Sequence, residues 1–167
     1  MSNKETIAYL AGIIDGEGTI RIKKDLSGVR SGKQKSPTYH EMVSAKMCTP
    51  KPLEMMKKIF GGSLYQEKRV YQSVSGFKTN KVMWDYQCSD LQAANCCKIL
   101  LPYLKVKNVQ AHICLKLRRS KQSKLAHRRG NLGGRRKGKG RSMSKKVLQF
   151  RDDLWNQIKI IHRGASK

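Results

Sequence analysis

Two carboxylates lie between glycines at the end of an apolar segment, in the stretch LAGIIDGEG over residues 10–18. Ahead of them, apolar residues recur at helical spacing, at Ile7, Leu10, Ala11 and Ile14. This pattern predicts a helix over residues 5–15 with one face toward a core. The C-terminal end of a helix carries partial negative charge, so Asp15 and Glu17 are acids at its unfavourable end. A compensating positive charge is therefore expected beside them.

Another face of the same helix carries small residues four positions apart, at Ala8, Gly12 and Gly16. Small side chains at this spacing let a second backbone approach closely. That backbone belongs either to the same chain, as tight internal packing, or to a second copy of it. The sequence leaves both interpretations open.

The composition indicates a polyanionic partner. The 167 residues carry a formal net charge of +25, which favours nucleic acid or an acidic membrane surface. The hydrophobic content of 38% is typical of a folded protein, and the length favours a single domain over residues 1–167. No apolar run is long enough to span a membrane, and no apolar signal segment follows the polar start. We therefore expect a soluble intracellular protein, cytoplasmic or in an organellar matrix, that is not secreted.

The five cysteines form no C-x-x-C pair. Zinc sites normally show paired ligands at short spacing, so a site built on His112 and Cys114 is the weaker interpretation. We expect reduced and mostly buried thiols in a cytoplasm-like compartment.

The positive charge is concentrated in one segment. No acidic residue occurs between Asp90 and Asp152, and the part from Gly130 to Gly140 is too rich in glycine for a helix or strand. We expect a basic loop over residues 120–143 that becomes ordered on a phosphate backbone, with a merely solvated linker as the alternative. The residues expected to contact phosphates in or beside this loop are Arg118, Arg119, Arg128, Arg129, Arg135, Arg136, Lys137, Lys139 and Arg141.

The other patterns predict a mixture of helices and antiparallel strand pairs, which indicates an α+β layered fold. Thr49 is a plausible helix cap, and Pro102 interrupts a helical stretch. Strands are predicted around residues 19–23, 38–47, 63–68 and 81–88, and further helices around residues 50–60, 89–101, 103–119 and 144–162.

LAGIIDGEG resembles the LAGLIDADG motif of homing endonucleases, with Ile13 in place of Leu, Gly16 in place of Ala and Glu17 in place of the second Asp. The predicted order of elements is also similar to the αββαββα core of that family. One copy of the motif in 167 residues resembles the single-motif, homodimeric, intron-encoded branch. The resemblance implies an antiparallel, saddle-shaped sheet with additional C-terminal helices.

In this family the motif helices of two subunits pack together and bring their terminal acids over the DNA minor groove. The resemblance therefore implies that Glu17 and Gly16 bind a magnesium ion, which supplies the missing positive charge. Two carboxylates close together at two negative helix ends repel each other unless a cation is bound. Asp15 is implied as a structural acid with a weaker catalytic part. The implied dimer interface comprises Ala8, Ala11, Gly12 and Asp15.

The stretch LPYLKVKNVQ resembles the family segment that brings a basic residue to the cleavage site. By position this residue is Lys107, which would orient the attacking water or stabilise charge on the phosphate. An ordinary solvated lysine is the alternative. Some single-motif relatives also use a polar and a basic residue near the end of the second strand, where this sequence has Ala45 and Thr49 with Lys46 and Lys51 nearby.

The implied activity is metal-dependent hydrolysis of double-stranded DNA by a homodimer, with a staggered break at a long pseudo-palindromic target. Specificity would come from strands that lie in the major groove. The side chains expected to contact DNA there are Arg21, Lys23, Gln34, Lys35, His40, Ser44, Lys46, Gln66, Lys68, Arg69, Gln72, Lys78 and Lys81.

Three other functions are compatible with the sequence. One is a DNA-binding protein of the same fold that no longer cleaves, and another is an RNA-binding intron maturase, since the basic loop suits RNA as well. The third is a basic ribosome-associated protein, which leaves the acids at the helix end unexplained. Metal-dependent nicking of a duplex would separate DNA cleavage from RNA binding.

Overall fold

The structure is a computed structural model that describes residues 2–67, 71–72, 78–79, 82–122 and 143–164. Its helices are α1 (Asn3–Glu17), α2 (Ser27–Arg30), α3 (Lys51–Phe60), α4 (Asp90–Leu100), α5 (Asn108–Gln122) and α6 (Lys145–Gly164). Its strands are β1 (Gly18–Asp25), β2 (Thr38–Met47), β3 (Ser63–Glu67), β4 (Tyr71–Gln72), β5 (Lys78–Thr79) and β6 (Met83–Ser89).

The first helix begins with a capping box. The Ser2 hydroxyl accepts a hydrogen bond from the backbone N–H of Glu5, and the Glu5 carboxylate accepts one from the backbone N–H of Ser2. The helix passes directly into β1 at Gly18. A Cβ at this position would lie 2.8 Å from the Cα of Ile14, so only glycine permits so close an approach. The residues that α1 buries are those of the predicted apolar face, Ile7, Leu10, Ala11 and Ile14.

The central sheet has the strand order β1-β2-β6-β3, and every neighbouring pair is antiparallel. The register places Ile20 opposite Val43, and Val43 opposite Cys88, so buried side chains of three strands share one face. All the longer helices contact the sheet or one another over a single core cluster. The predicted α+β fold with an antiparallel sheet is confirmed, and α5 and α6 are the additional C-terminal helices.

The helix predicted over residues 103–119 is wrong at its start. It begins at Asn108, and residues 101–107 form turns that follow Leu100 and include Pro102. Backbone N–H groups of this segment bind the side chain of Asp15, which is far away in the sequence. This contact fixes the segment in a non-helical path.

Other boundaries differ less. Thr49 is not the cap of α3, because the helix begins at Lys51 with Pro50 at the cap position and no side-chain cap bond. The connection after β1 contains the one-turn helix α2, and β4 pairs with β5 in a separate ribbon. The strand predicted over residues 81–88 spans Met83–Ser89, and the closing helix predicted over residues 144–162 spans Lys145–Gly164.

The cysteines agree with the prediction, since all five are free and four are buried, with Cys48 exposed. Within the described ranges, no helix is both long and apolar enough to cross a membrane. The same ranges contain no group of three or more Cys, His, Asp or Glu residues placed to hold a metal ion.

A buried carboxylate joins the sheet to the helical layer. The Glu41 side chain is fully buried in β2, and its Oε2 accepts hydrogen bonds from Arg118 (2.9 Å) and Lys121 (2.6 Å) of α5. Lys121 also donates to the carboxylate of Asp90, the first residue of α4, at 3.0 Å. One strand and two helices are thus held by one cluster of ion pairs.

Replacement of Glu41 tests this cluster. Glu41→Gln would leave Arg118 and Lys121 without a buried countercharge, so we expect the free energy of unfolding to fall by about 3 kcal/mol. Chemical denaturation measures this change. The control is Glu54→Gln on the exposed side of α3, which removes the same charge and should change stability by less than about 0.5 kcal/mol. Equal small changes in both variants would contradict the assigned role of Glu41.

Candidate metal-binding carboxylate and nucleic-acid interface

Glu17 is the last residue of α1, and it is exposed. Its neighbour Gly16 is exposed as well, and a Cβ built on Gly16 would meet no atom within 4 Å. The next residue, Gly18, is buried and donates its backbone N–H to the Ile14 carbonyl oxygen. The Glu17 carboxylate is therefore exposed to solvent, directly before backbone that is buried at Gly18.

Asp15 binds the turn that precedes α5. Its carboxylate accepts three backbone hydrogen bonds, from Lys105 at 2.7 Å, Val106 at 3.2 Å and Lys107 at 2.9 Å. Burial raises the pKa of Asp15, but these hydrogen bonds outweigh it, so the pKa lies below its ordinary value. Asp15 is thus a charged anchor between two distant parts of the chain.

Lys107 supplies a positive charge at the end of α1. Its ammonium donates hydrogen bonds to the backbone carbonyl oxygens of Ile14 (2.8 Å) and Asp15 (2.6 Å). Carbonyls in the last turn of a helix lack partners within the helix, and a cation there is favourable. Burial lowers the pKa of Lys107, while the charges of Asp15 and Glu17 oppose that shift. Lys107 is therefore placed beside Glu17, and it is not an ordinary solvated lysine.

One face of the sheet points away from the core, and we call it the open face. The cross-strand pairs Thr19–Ser44 and Ser44–Gln87, together with Lys46–Asp85, place polar side chains of three strands on this face. It contains an open cavity of about 460 Å³. The residues that line this cavity are Glu17, Thr19, Arg21, Ser44, Ala45, Lys46, Asp85 and Gln87.

The structure brings five of the predicted DNA contacts onto the open face. Thr19, Arg21 and Lys23 alternate with buried residues of β1, and Lys23 lies opposite His40 of β2. His40 is hydrogen-bonded to Asp90 at 2.9 Å and to Thr38 at 3.1 Å. The predicted contacts on this face are Arg21, Lys23, His40, Ser44 and Lys46.

Lys46 is held by two acids that lie on neighbouring strands. Its ammonium lies 3.1 Å from the Glu67 carboxylate and 3.3 Å from the Asp85 carboxylate. The hydrogen bond to Glu67 raises the pKa of Lys46 above its ordinary value, with a smaller contribution from Asp85 and against the effect of burial. Lys46 is therefore charged and already partnered on the surface predicted to bind DNA.

Other predicted contacts lie elsewhere. Gln66 is opposite Trp84, which packs on the core, so Gln66 belongs to the other face of the sheet. Gln34 lies in the loop after α2, and its side chain packs against Gly28 of that helix. Lys35 of the same loop is exposed. The guanidinium of Arg118 is engaged by the buried Glu41, and Arg119 lines a groove between α4 and α5.

Several predicted contacts cannot be placed on either face. Gln72 and Lys78 belong to the β4–β5 ribbon. The remaining ones lie outside the described residues, and they are Lys68, Arg69, Lys81, Arg128, Arg129, Arg135, Arg136, Lys137, Lys139 and Arg141.

The residues of the predicted dimer interface divide into two groups. Ala8 and Gly12 are exposed on α1, and a Cβ built on Gly12 would meet no atom within 4 Å. Ala11, in contrast, is fully buried in the core of its own chain, and Asp15 is occupied by the turn before α5. The small-residue face through Ala8, Gly12 and Gly16 is therefore open, whereas Ala11 packs internally.

Residues that sequence reasoning missed lie on the open face of the antiparallel pair β3 and β6. They are Asp85 and Gln87 of β6 with Tyr65 and Glu67 of β3, which pair in the order Gln87–Ser63, Asp85–Tyr65 and Met83–Glu67. The alternation in the stretch WDYQC indicated these residues, since Tyr86 and Cys88 are buried while Asp85 and Gln87, which alternate with them, point outward.

The fold of this chain has known counterparts, whereas its sequence does not match a known family model or curated protein. The structure resembles the homing endonuclease I-CvuI in complex with its target, with a TM-score of 0.65 at 17% identity over 95% of this chain and 82% of that one. It also resembles the group I intron-encoded homing endonuclease I-CeuI complexed with DNA, with a TM-score of 0.64 at 12% identity over 95% of this chain and 68% of that one. A third similar structure is the LAGLIDADG homing endonuclease I-GzeII in complex with its DNA target, with a TM-score of 0.58 at 15% identity over 89% of this chain and 43% of that one.

The Asp15 anchor predicts a dependence of stability on pH. A carboxylate whose pKa is depressed in the folded state stabilises the fold above its unfolded pKa, and this stabilisation is lost as pH falls through the folded pKa. For Asp15 the loss begins below its ordinary value of 3.8. We expect the unfolding free energy of the wild type to fall more steeply with decreasing pH in this window than that of Asp15→Asn. Urea denaturation at a series of pH values measures both curves, and parallel curves would refute the anchor.

Proposed function

We propose that this chain, which has the fold of the LAGLIDADG homing endonucleases, is a site-specific DNA endonuclease of intron homing. It acts as a homodimer and makes a staggered double-strand break at a long pseudo-palindromic target. The observation that carries the proposal is the exposed Glu17 carboxylate at the end of α1, at the rim of the cavity on the open face. The net charge of +25 suits a polyanionic substrate, and I-CvuI and I-CeuI were both solved with DNA.

Glu17 and Gly16 would hold a magnesium ion. A carboxylate and a backbone carbonyl are the hard oxygen ligands that this ion prefers, and both residues are exposed. Among the described residues, the end of α1 supplies this single exposed carboxylate, so a second copy and a DNA phosphate would have to supply further oxygen ligands. I-CvuI was solved with DNA in the presence of calcium and, separately, of magnesium. When bound, the ion would activate water and stabilise the leaving oxygen.

Lys107 and Asp15 would serve this site in different ways. Two of the three N–H donors of the Lys107 ammonium are fixed on the end of α1, which leaves one donor for a phosphate oxygen near Glu17. A preorganised cation at the phosphate stabilises the charge that develops during hydrolysis. Asp15 is a positioning residue, because it fixes the turn from which Lys107 extends.

The open face would lie along the major groove. Arg21 of β1 would present donors in the cavity that Glu17 also lines, and Lys23 of β1 would present donors further along the face, opposite His40. Phosphate contacts from basic residues would add affinity without sequence information. Base contacts on the strands would then select the target.

The homodimer rests on the exposed face of α1. Ala8, Gly12 and Gly16 leave room for a second helix at close approach. Val106 lies beside this end of α1, because its backbone N–H donates to the Asp15 carboxylate. Its side chain is 69% exposed and would extend the interface. The match covers 43% of I-GzeII, which is a much longer chain than this one.

Glu17→Gln tests the catalytic proposal. The protein and the variant are incubated with a randomised duplex library in magnesium, and the cut ends are sequenced. We expect recurrent staggered ends from the wild type and at least about a 100-fold loss of cutting in the variant, because the metal loses its charged ligand. The same reactions in calcium measure binding, which the variant should retain.

The matched control is Glu54→Gln, which removes an equal charge from α3 and should cut as the wild type does. Equal cutting by Glu17→Gln would overturn the role of Glu17 as a metal ligand. Specific binding without cutting by the wild type would indicate a DNA-binding protein. No DNA selection at all would overturn the proposal and direct attention to RNA.

Gly12→Leu tests the dimer. The added side chain projects from the exposed face of α1, so we expect the variant to fold but to sediment as a monomer, with double-strand cutting lost. Sedimentation velocity and circular dichroism measure assembly and folding. Gly164→Leu is the control, since it also adds a side chain in open space, at the end of α6. A dimer of unchanged stability in Gly12→Leu would rule out this interface.

A further inference from the structure

Three acidic side chains lie at one end of the open face, although the chain as a whole is strongly basic. Glu17 ends α1, and Glu67 and Asp85 contact Lys46. A carboxylate on a surface that meets phosphates is unfavourable unless it binds a cation or accepts hydrogen bonds. Glu17 has a role in metal binding under the proposed function, but Glu67 and Asp85 do not.

Lys46 and Asp85 form a donor and acceptor pair directly across two strands. They are partners in the β2–β6 register, and their charged atoms lie 3.3 Å apart. The Lys46 side chain is 47% exposed and that of Asp85 is 29% exposed, so both are accessible from the open face. Exposed ion pairs contribute little to stability, so the fold gives only a weak reason for this pair.

The edges of base pairs in the major groove carry a matching pattern. In a G·C pair, O6 of guanine accepts the hydrogen bond that N4 of cytosine donates, and these atoms are therefore about 2.9 Å apart. Both remain available in the groove, O6 through a free lone pair and N4 through its second hydrogen. A lysine and a carboxylate at hydrogen-bonding distance from each other can therefore face the two atoms together.

We propose that Lys46 and Asp85 read one G·C pair in each half-site, with Lys46 donating to guanine and Asp85 accepting from the cytosine amino group. This inference rests on the proposed function and identifies a determinant of its specificity. Because both residues line the cavity that Glu17 also lines, the pair they read is close to the cut bonds. In a homodimer it occurs twice, related by the two-fold axis.

The chemistry favours G·C over A·T in this arrangement. Guanine presents two acceptors, O6 and N7, to the ammonium, and cytosine presents a donor to the carboxylate. Adenine also offers an amino group to Asp85, but its N7 acceptor lies beside that group and would repel the carboxylate. Thymine would offer Lys46 one acceptor next to an apolar methyl group.

Glu67 is a positioning residue in this scheme. Its carboxylate accepts a hydrogen bond from the Lys46 ammonium at 3.1 Å, and its side chain is 25% exposed. Lys46 is thereby held over Asp85 and is not free to follow the nearest phosphate. A lysine that is fixed beside its acceptor loses less conformational entropy when it contacts a base.

Selection from a randomised duplex library in calcium, with sequencing of bound DNA, tests the proposal. For the wild type we expect a symmetric pair of G·C positions in the inner half-sites. In Asp85→Asn the preference at the cytosine should shift toward adenine by at least about fivefold, because an amide pairs with N6 and N7 of adenine. In Lys46→Gln the preference for guanine on the other strand should weaken. The control Glu54→Gln removes the same negative charge as Asp85→Asn, and it should leave the base preference at every position of the site unaltered.

The outcomes separate this proposal from the function on which it rests. A specific site without the symmetric G·C pair, or an Asp85→Asn variant with wild-type preferences, would overturn the reading pair and leave the endonuclease standing. A wild type that selects no DNA would overturn both. If Asp85→Asn does not fold by circular dichroism, Asp85→Ser, which is smaller, replaces it, and the Lys46→Gln result decides independently.

Discussion

The fold depends on a reciprocal contact between the end of α1 and the turn before α5. The Asp15 carboxylate accepts three N–H groups of residues 105–107, and Lys107 returns its ammonium to the carbonyl oxygens of Ile14 and Asp15. Each side satisfies polar groups that the other would leave without partners. The acid is at the unfavourable end of α1, but it is also at the start of α5, where a negative charge is favourable. Asp15 is therefore compensated within the chain, and the exposed acid, Glu17, is the one available to a ligand.

This contact determines how precisely Glu17 is held. The side chain follows Asp15 by two positions and precedes Gly18, whose backbone packs against Ile14 at distances that no other residue would permit. Both flanks of Glu17 are thus immobilised by burial or by hydrogen bonds, while its own carboxylate is exposed. A ligand that is held by rigid elements loses little entropy on binding, which is the arrangement that a metal site shared between two chains requires.

Sequence reasoning succeeded where the determinants are local. The apolar spacing over Ile7 to Ile14 predicted α1, and the alternation after Gly18 predicted β1. It failed at residues 103–107, because Asp15 overrides their helical pattern from about 90 positions away. It also chose Gln66 over Tyr65 and Glu67, since a shift of one residue exchanges the two faces of a strand. For Lys107, no local pattern distinguishes a lysine that caps a distant helix from a solvated one.

The charges of the open face are divided in a way that composition alone conceals. Lys23 and His40 are at one end, while Glu67 and Asp85 contact Lys46 at the end near Glu17. A uniformly basic surface would bind any duplex, because phosphate contacts carry no sequence information. Under the proposed function, the acids near Glu17 would reduce that general affinity for DNA and would be tolerated where the correct bases supply hydrogen-bond donors. An unfavourable contact with wrong sequences is as effective for specificity as a favourable contact with the right one. The net charge of +25 therefore suits a polyanionic ligand. Under the proposed function, the few acids of the open face would let the chain reject most DNA sequences.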